Sequence, residues 1–435
     1  FLENNIMNIR IYNVNVLKLD NNDNWVLLSD MEVWIENSFI TSIFPYRDNN
    51  KITVNWDREV DGKGNILMPG FKNSHTHSAM TFLRSYADCA KLQDWLRNYI
   101  FPAEKNLTEE IVYWGTVLAI MEYLSGGITS NFDMYFYPQR IAEASVCTGF
   151  RTVQTSAFSN FYSSISEMED LYHAVNELSD LTSFVVGFHA EYSTSKQLLI
   201  NLAKLSNKLK SPVWFHNAET KQEVIECKKR WGITPTKLTY ELGLFEHGGG
   251  GYHCVWVEDS DIEIMKEKKI TAVINPASNI KLCSGIAPVN KFLENDIQVA
   301  LGTDGAASNN SLNMFKEMYL AATLDNFSRN DPSCIKPEQI LYMATKAGAD
   351  SIGLDYCDNL EVGKKADLVL LDVHQPNMQP VNKIINNIVY SGSNNNVLLT
   401  IVNGEILYEN GEYHIGIEPK DVYSKLALLL KKIRE

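Results

Sequence analysis

Hydrophobic and polar positions along the chain fall into three textures. From about Asn8 to Val60, in IRIYNVNVLKL, WVLLS and MEVWIENSFITSIF, apolar residues alternate with polar ones and are broken by Asp and Asn clusters. That is the period of half-buried strands joined by turns. A similar texture returns in ADLVLLD (366–372), NNIVYSG (386–392) and NVLLTIVNGEILYENGEY (396–413), where Asn403-Gly404 and Asn410-Gly411 signal tight turns. DVYSKLALLLKKIRE, at the end, reads as an amphipathic helix. Between the two ends, short apolar runs alternate with helix-length segments such as EEIVYWGTVLAIMEYLSGG and SKQLLINLAKLSNKLK. The runs are ILMPGFKNSHTH, GITSNFDMY, RTVQTSAF, FVVGFHAEY, PVWFHNAE, GYHCVWV, TAVINPAS and QVALGTD, eight candidate strands.

Eight strand–helix units predict an α/β chain whose centre is a (β/α)8 TIM-type barrel. The β-rich ends are expected to meet in a small β-sandwich, giving limits of 7–66 and 359–435 for that composite domain and 67–358 for the barrel. A length of 435 residues suits one large domain with an accessory one.

The position of the polar chemistry sharpens this picture. His75 and His77, His189, His216, His253 and Asp304 each lie at the C-terminal end of an apolar run. In a barrel of this kind those ends form the face on which active sites are built. Four histidines (His173, His247, His374 and His414) fall outside the set. His75-Thr76-His77 on an extended segment turns both imidazoles to one side. With His216 and Asp304 they offer three nitrogens and one oxygen, donors suited to Zn²⁺ or Fe²⁺ with a place left for water. A cation so held would bring the pKa of that water toward ~7. Glu219, three residues after His216 in HNAE, is placed beside the ligand to shuttle a proton, although an acid there could also simply favour a helix N-terminus.

Composition narrows the partners. Acidic residues number 53 against 39 basic ones, a formal net charge of -14, so nucleic acid and anionic membrane are poor partners. No apolar run reaches membrane-spanning length. Seven scattered cysteines without a C-x-x-C pair read as reduced thiols of a cytoplasmic protein. Phe1 to Ile6 carry neither a signal peptide nor an initiator, and Met7 reads as a natural start. Gly248 to Gly251 lacks the following Lys-Ser or Lys-Thr of a phosphate loop and is expected to form a flexible loop rimming the site, with His247 exposed beside it. His189-Ala190-Glu191 matches the H-x-E half of the zinc nucleobase deaminases, but their P-C-x-x-C is absent.

The motifs MPGFKNSHTHSAMTFLRS, GGITSNFDMYF, GFHAEY, HNAET, YHC, NPASNIKLCSGIAPV, LGTDGAASNNSLNMFKEM and LEVGKKADLVLLD span nearly the whole chain. Together they resemble the amidohydrolase superfamily, and within it the 5-methylthioadenosine/S-adenosylhomocysteine deaminase branch near the triazine hydrolases and guanine deaminases. The resemblance implies a single metal on His75, His77, His216 and Asp304, with Glu219 as proton shuttle and His253 and Asp304 orienting the attacking water. It also implies that His189 faces the substrate ring. Glu104, in FPAE, matches the family's ribose-holding Glu, and Trp95 falls where the family places an aromatic near the substrate. Both have plain alternatives, an exposed helix acid and a core residue. Superfamily members with two metals carry a lysine on the fourth strand; FVVGFHAEY has none.

One departure from the branch concerns specificity. The stretch after the third strand, SAFSNFYSSISEMEDLY, lacks Arg and Lys where the branch grips the far end of its substrate. A buried carboxylate without a cation is costly, so a smaller or neutral adenosine compound is expected over S-adenosylhomocysteine. The expected reaction is hydrolytic deamination of a small heterocyclic substrate by a homo-oligomer. Alternatives are a guanine- or pterin-type deaminase, a triazine chloro- or aminohydrolase, and a non-catalytic barrel.

Overall fold

The computed structural model describes residues 7–47, 55–161 and 164–434. The expectations for Phe1–Ile6, and parts of the stretches at 48–54 and 162–163, lie outside them. The eight predicted runs form a barrel of parallel strands: β1 (Phe71–Thr76), β2 (Ile128–Tyr135), β3 (Arg151–Ser156), β4 (Val186–Ala190), β5 (Val213–Asn217), β6 (Gly249–His253), β7 (Thr271–Ile274) and β8 (Val299–Leu301). A short strand, Thr182–Phe184, pairs beside β3. The two arcs meet where the Val185 amide donates to the Gln154 carbonyl (2.9 Å) and His189 to that of Phe158 (2.8 Å). On the other side Asp304 N–H donates to the His75 carbonyl (3.0 Å), closing β8 onto β1. Gly302 is needed at that closure, because a Cβ there would lie 2.8 Å from the His75 backbone nitrogen.

Bulky side chains fill the barrel, among them Phe132, Met134, Val153, Trp214, Tyr252 and Val273. Strands this fully buried read as continuous apolar runs rather than as alternations, which is why the runs could be counted in the sequence. The two helices named from periodicity occupy Glu109–Ser125 and Lys196–Leu209, with Thr108 and Ser195 side chains accepting from the first-turn amides of Ile111 and Leu198.

Strands from both chain ends share one nine-stranded mixed sheet. Its order is 412–413, 405–409, 397–402, 368–371, 66–69, 9–19, 25–36, 39–45, with 58–61 also against 9–19. Ile9, Ile11, Val14, Val33, Leu368 and Ile401 join in its core. A buried ion cluster ties this sheet to the barrel, at the end of β1 and β3 opposite the histidines. Arg151 donates to both oxygens of Asp367 (2.8 and 3.1 Å), with the Lys72 ammonium 3.6 Å from the same carboxylate.

Two expectations are corrected. NNIVYSG is not a strand, because residues Ile384–Tyr390 form a helix that turns Ile384, Ile388 and Val389 inward at helical spacing. Gly248–Gly251 is not a loop at the site. Gly249 to Gly251 open β6 at the far end of the barrel, and a Cβ on Gly250 would sit 2.0 Å from the Trp214 ring. Gly250 makes room for that indole, and Gly249 for the Val213 backbone. The C-terminal amphipathic helix is present as Pro419–Arg434, and His247 is exposed.

Candidate functional site

The structure brings His75, His77, His189, His216, His253 and Asp304 together at one end of the barrel, as their places in the sequence predict. His75 lies within β1 and stacks on Tyr252 of β6, ring centroids 3.8 Å apart. Its ring is 5.0 Å from that of His216 and 4.8 Å from that of His77. The carboxylate of Asp304 approaches from β8, with Oδ1 3.2 Å from His77 Nε2 and 3.6 Å from His75 Nε2. Four residues at the strand ends adopt left-handed backbone, Ala218 (φ 50°), His253 (φ 70°), Cys254 (φ 48°) and Asp304 (φ 58°). Such conformations are uncommon outside glycine and are held by the surrounding structure, here where the chain must turn side chains into the barrel mouth.

Second partners set the donor atoms. His77 Nδ1 meets the Met134 carbonyl (2.5 Å) and His216 Nδ1 that of His189 (2.6 Å), so each donates through Nδ1 and turns Nε2 inward, that of His77 toward Asp304. The second oxygen of Asp304 accepts from Ser278 (2.5 Å) and Ser308 (2.8 Å). Burial, reinforced by the neighbouring imidazoles, holds His75 and His216 well below the ordinary histidine pKa, so both are neutral donors.

The residues fit a divalent cation. His75 is fully buried with neither ring nitrogen hydrogen-bonded, an orphaned polar side chain that a cation would satisfy. Among the described residues two overlapping donor groups have ligand spacing, His75–His77–Asp304 and His75–His216–His253.

Glu219 sits between β5 and the helix Lys221–Trp231, whose first turn is capped by Thr220 with Glu223 rather than by Glu219. The helix-dipole alternative therefore goes to Glu223, and the Glu219 side chain is buried in the site. Its Oε1 accepts from Ser284 (3.3 Å) and its Oε2 lies 3.8 Å from His253 Nε2. Burial, then the charges of Asp304 and Glu223, push its pKa well above the usual carboxylate range.

These groups open into a cavity of about 540 Å³. Leu92, Trp95, Leu96, Phe136, Phe161 and Leu282 give it apolar walls. Trp95 lines the cavity and also packs in a core cluster at 4% exposure. Glu104 also lines it and is not an exposed acid; it accepts from the Tyr135 hydroxyl at 2.8 Å, and burial raises its pKa to about 7. His189 reaches the cavity with Nδ1 2.9 Å from Ser193 Oγ, and burial lowers it to about 4. The segment after β3 contributes Ala157, Ser159 and Phe161, none of them cationic.

Several participants escaped sequence reasoning: Tyr135 behind Glu104, Ser278 and Ser308 on Asp304, Ser284 on Glu219, and Asn275 and Asn279 on His253. Four of these lie in the motif NPASNIKLCSG, where the signal was present without an assignable partner. Lys105, exposed at the cavity wall, was also missed.

The amidohydrolase family matches residues 66–407. A 5-methylthioadenosine/S-adenosylhomocysteine deaminase from Caldicellulosiruptor saccharolyticus is 38% identical, covering 99% of each chain. A 5'-deoxyadenosine deaminase from Methanosarcina acetivorans is 36% identical over 88% of this chain and 89% of its own. The solved adenosine deaminase from Xanthomonas campestris with bound zinc superposes with a TM-score of 0.91 at 29% identity, covering 98% of each chain. By fold, by the arrangement at the strand ends and by these likenesses, the chain belongs to the amidohydrolase family.

Proposed function

We propose that this protein is a hydrolytic deaminase that converts the amino group of an adenosine derivative to a carbonyl with release of ammonia. The observation that carries this reading is the convergence of His77, His216, Asp304, Glu219 and His253 at the floor of one apolar-walled cavity, with His75 buried against them and Glu104 on the cavity wall. The relatives named for adenosine compounds support the substrate class.

His75, His77, His216 and Asp304 would hold one divalent cation per chain, zinc as the first choice, with iron(II) suited to the same donors. When bound, such a cation supplies a Lewis acid that makes water nucleophilic near neutral pH. The protein's own residues do the rest. Asp304 and His253 orient the water toward the amino-bearing ring carbon. Glu219, buried and holding its proton, delivers that proton to the adjacent ring nitrogen, takes up a proton from the attacking oxygen, passes it to the departing amine, and is reset by the oxygen's remaining proton as the carbonyl forms. His189, neutral through burial, faces the ring, Trp95 packs beside it, and Glu104 accepts from the ribose hydroxyls.

The far end of the cavity favours a neutral 5'-substituent. Its lining offers apolar side chains and one cation, the exposed Lys105, in place of a forked arginine. We further read the nine-stranded sheet as a sandwich of residues 7–66 and 359–435 beside a barrel of 67–358, and the protein as a cytoplasmic homo-oligomer. No helix among the described residues is long and apolar enough to cross a membrane.

Ammonia release from metal-replete enzyme given adenosine, 5'-deoxyadenosine and methylthioadenosine tests the reading. Turnover of at least one is expected; chloride or alkylamine release from triazines alone would replace it.

A further inference from the structure

His253 belongs to one of the two donor groups of ligand spacing, yet its surroundings give it a different task. Two amide nitrogens converge on its Nδ1, Asn279 Nδ2 at 2.8 Å and Asn275 Nδ2 at 3.3 Å. An imidazole nitrogen that receives N–H donors must present a lone pair, and the proton of the neutral ring then resides on the other nitrogen. We infer that Asn279, seconded by Asn275, is a positioning residue that fixes His253 as the Nε2–H tautomer, making it a hydrogen-bond donor at the reaction centre and not a metal ligand. The inference deepens the deaminase reading and rests on it for its kinetic consequence only.

The seat of Asn279 is rigid. Its side chain is 2% exposed and that of Asn275 fully buried. Asn279 N–H donates to the Asn275 carbonyl (3.0 Å), and the Asn279 carbonyl accepts from Ser284 (2.8 Å). The Ser284 carbonyl is held in turn by the Trp256 indole N–H at 2.6 Å. One segment, residues 275–284, therefore touches every proton-handling group of the site. Ser278 donates to Asp304, Asn279 to His253 and Ser284 to Glu219. His253 Nε2 faces Glu219 Oε2 across 3.8 Å, a gap that leaves both groups room to contact a common oxygen between them. With Nε2 protonated, His253 can only donate to that oxygen, so the oxygen's own proton goes to Glu219 once Glu219 has given its first proton to the substrate. The division of labour follows from the asparagines.

The test reads the tautomer directly, on metal-free protein without substrate. With histidine side chains labelled with ¹⁵N and His253 assigned by difference against His253→Gln, long-range proton–nitrogen correlation is expected to show an unprotonated Nδ1 and a protonated Nε2. A protonated Nδ1 in the wild-type protein would overturn the inference whatever the enzyme's substrate proves to be. Asn279→Asp, the same size but an acceptor, is expected to move the proton to Nδ1. Its kcat should fall about 10²–10³-fold, the usual loss for one oriented donor, with KM within about twofold and bound metal unchanged. A variant with the proton on Nδ1 and wild-type kcat would also overturn it. Should that variant not fold, the wild-type spectrum decides alone. Silence in the ammonia assay would strike the deaminase reading and leave the tautomer of His253 to be decided by the spectrum.

Discussion

Glu104 offers a perturbation whose size can be worked from its surroundings. Its Oε1 already accepts from Tyr135 at 2.8 Å, which leaves the rest of the carboxylate for the two neighbouring ribose hydroxyls that the proposed reading assigns to it. A hydrogen bond to a charged group contributes about 1.5–3 kcal/mol, and every 1.4 kcal/mol is tenfold. Glu104→Gln keeps the size but exchanges one acceptor for a donor, so kcat/KM for adenosine should fall about 10- to 150-fold, mostly through KM. The substrate side gives the matching deletion. Removal of the 2'-hydroxyl should cost the wild-type enzyme a similar factor and the variant little, because the two changes remove the same contact. Acidity adds a second signature. Burial raises the Glu104 pKa to about 7 despite the opposing pull of Tyr135 and His77, so its charge is lost as pH falls through that value. The ionised fraction climbs from about a tenth at pH 6 to about nine tenths at pH 8. The wild-type advantage over Glu104→Gln should therefore widen across that interval. Steady-state kinetics with adenosine and 2'-deoxyadenosine at several pH values measures all three effects. An unchanged 2'-deoxy penalty in the variant would refute the role assigned to Glu104.

Other expected outcomes follow from the same geometry. Glu219→Gln should retain the metal and lose about 10²–10⁴ in kcat, the usual share of a positioned acid–base group, and near-normal turnover would remove it from the mechanism. His216→Ala should lose bound metal by elemental analysis while keeping the far-ultraviolet circular dichroism of the fold. Asp367→Asn leaves the buried Arg151 and Lys72 without their counter-charge and should destabilise the protein by about 3–5 kcal/mol, read as a lowered midpoint of thermal unfolding. Arg151 and Lys72 overcome the burial of Asp367 and hold its pKa at about 2. Its contribution to stability is thus complete above the unfolded carboxylate value near ~3.9 and is lost as pH falls toward 2. Acid unfolding that begins in the same interval for Asp367→Asn and wild type would contradict that assignment.

The sequence was most legible where one physical rule acts alone. Strands buried on both faces must be apolar, so the eight runs and the polar residues ending them could be read directly, and His75, His77, His216, His253 and Asp304 do converge. It was least legible where a residue's meaning depends on a distant partner. NNIVYSG carries β-branched residues that favour a strand, but packing of Ile384 and Ile388 on one helical face overrides that preference. The glycines of Gly248–Gly251 suggested a loop because what requires Gly249 and Gly250, the Val213 backbone and the Trp214 ring, lies on the neighbouring strand. Asn275, Ser278, Asn279 and Ser284 stand in plain view in one motif, yet what each holds is set by β5, β6 and β8 together. Glu104 could not be told from a surface acid until Tyr135 was placed against it.

The most direct measurement is ammonia release by metal-replete protein across 5'-deoxyadenosine, methylthioadenosine, adenosine, S-adenosylhomocysteine, guanine and pterins, with metal content determined on the same sample. Expected are one metal ion per chain, turnover of a neutral adenosine compound, and a kcat/KM for S-adenosylhomocysteine at least about tenfold lower, since a carboxylate would find only the exposed Lys105. One bound metal ion with no ammonia from any adenosine compound would contradict the proposed activity, and preferred turnover of S-adenosylhomocysteine would contradict the assigned specificity.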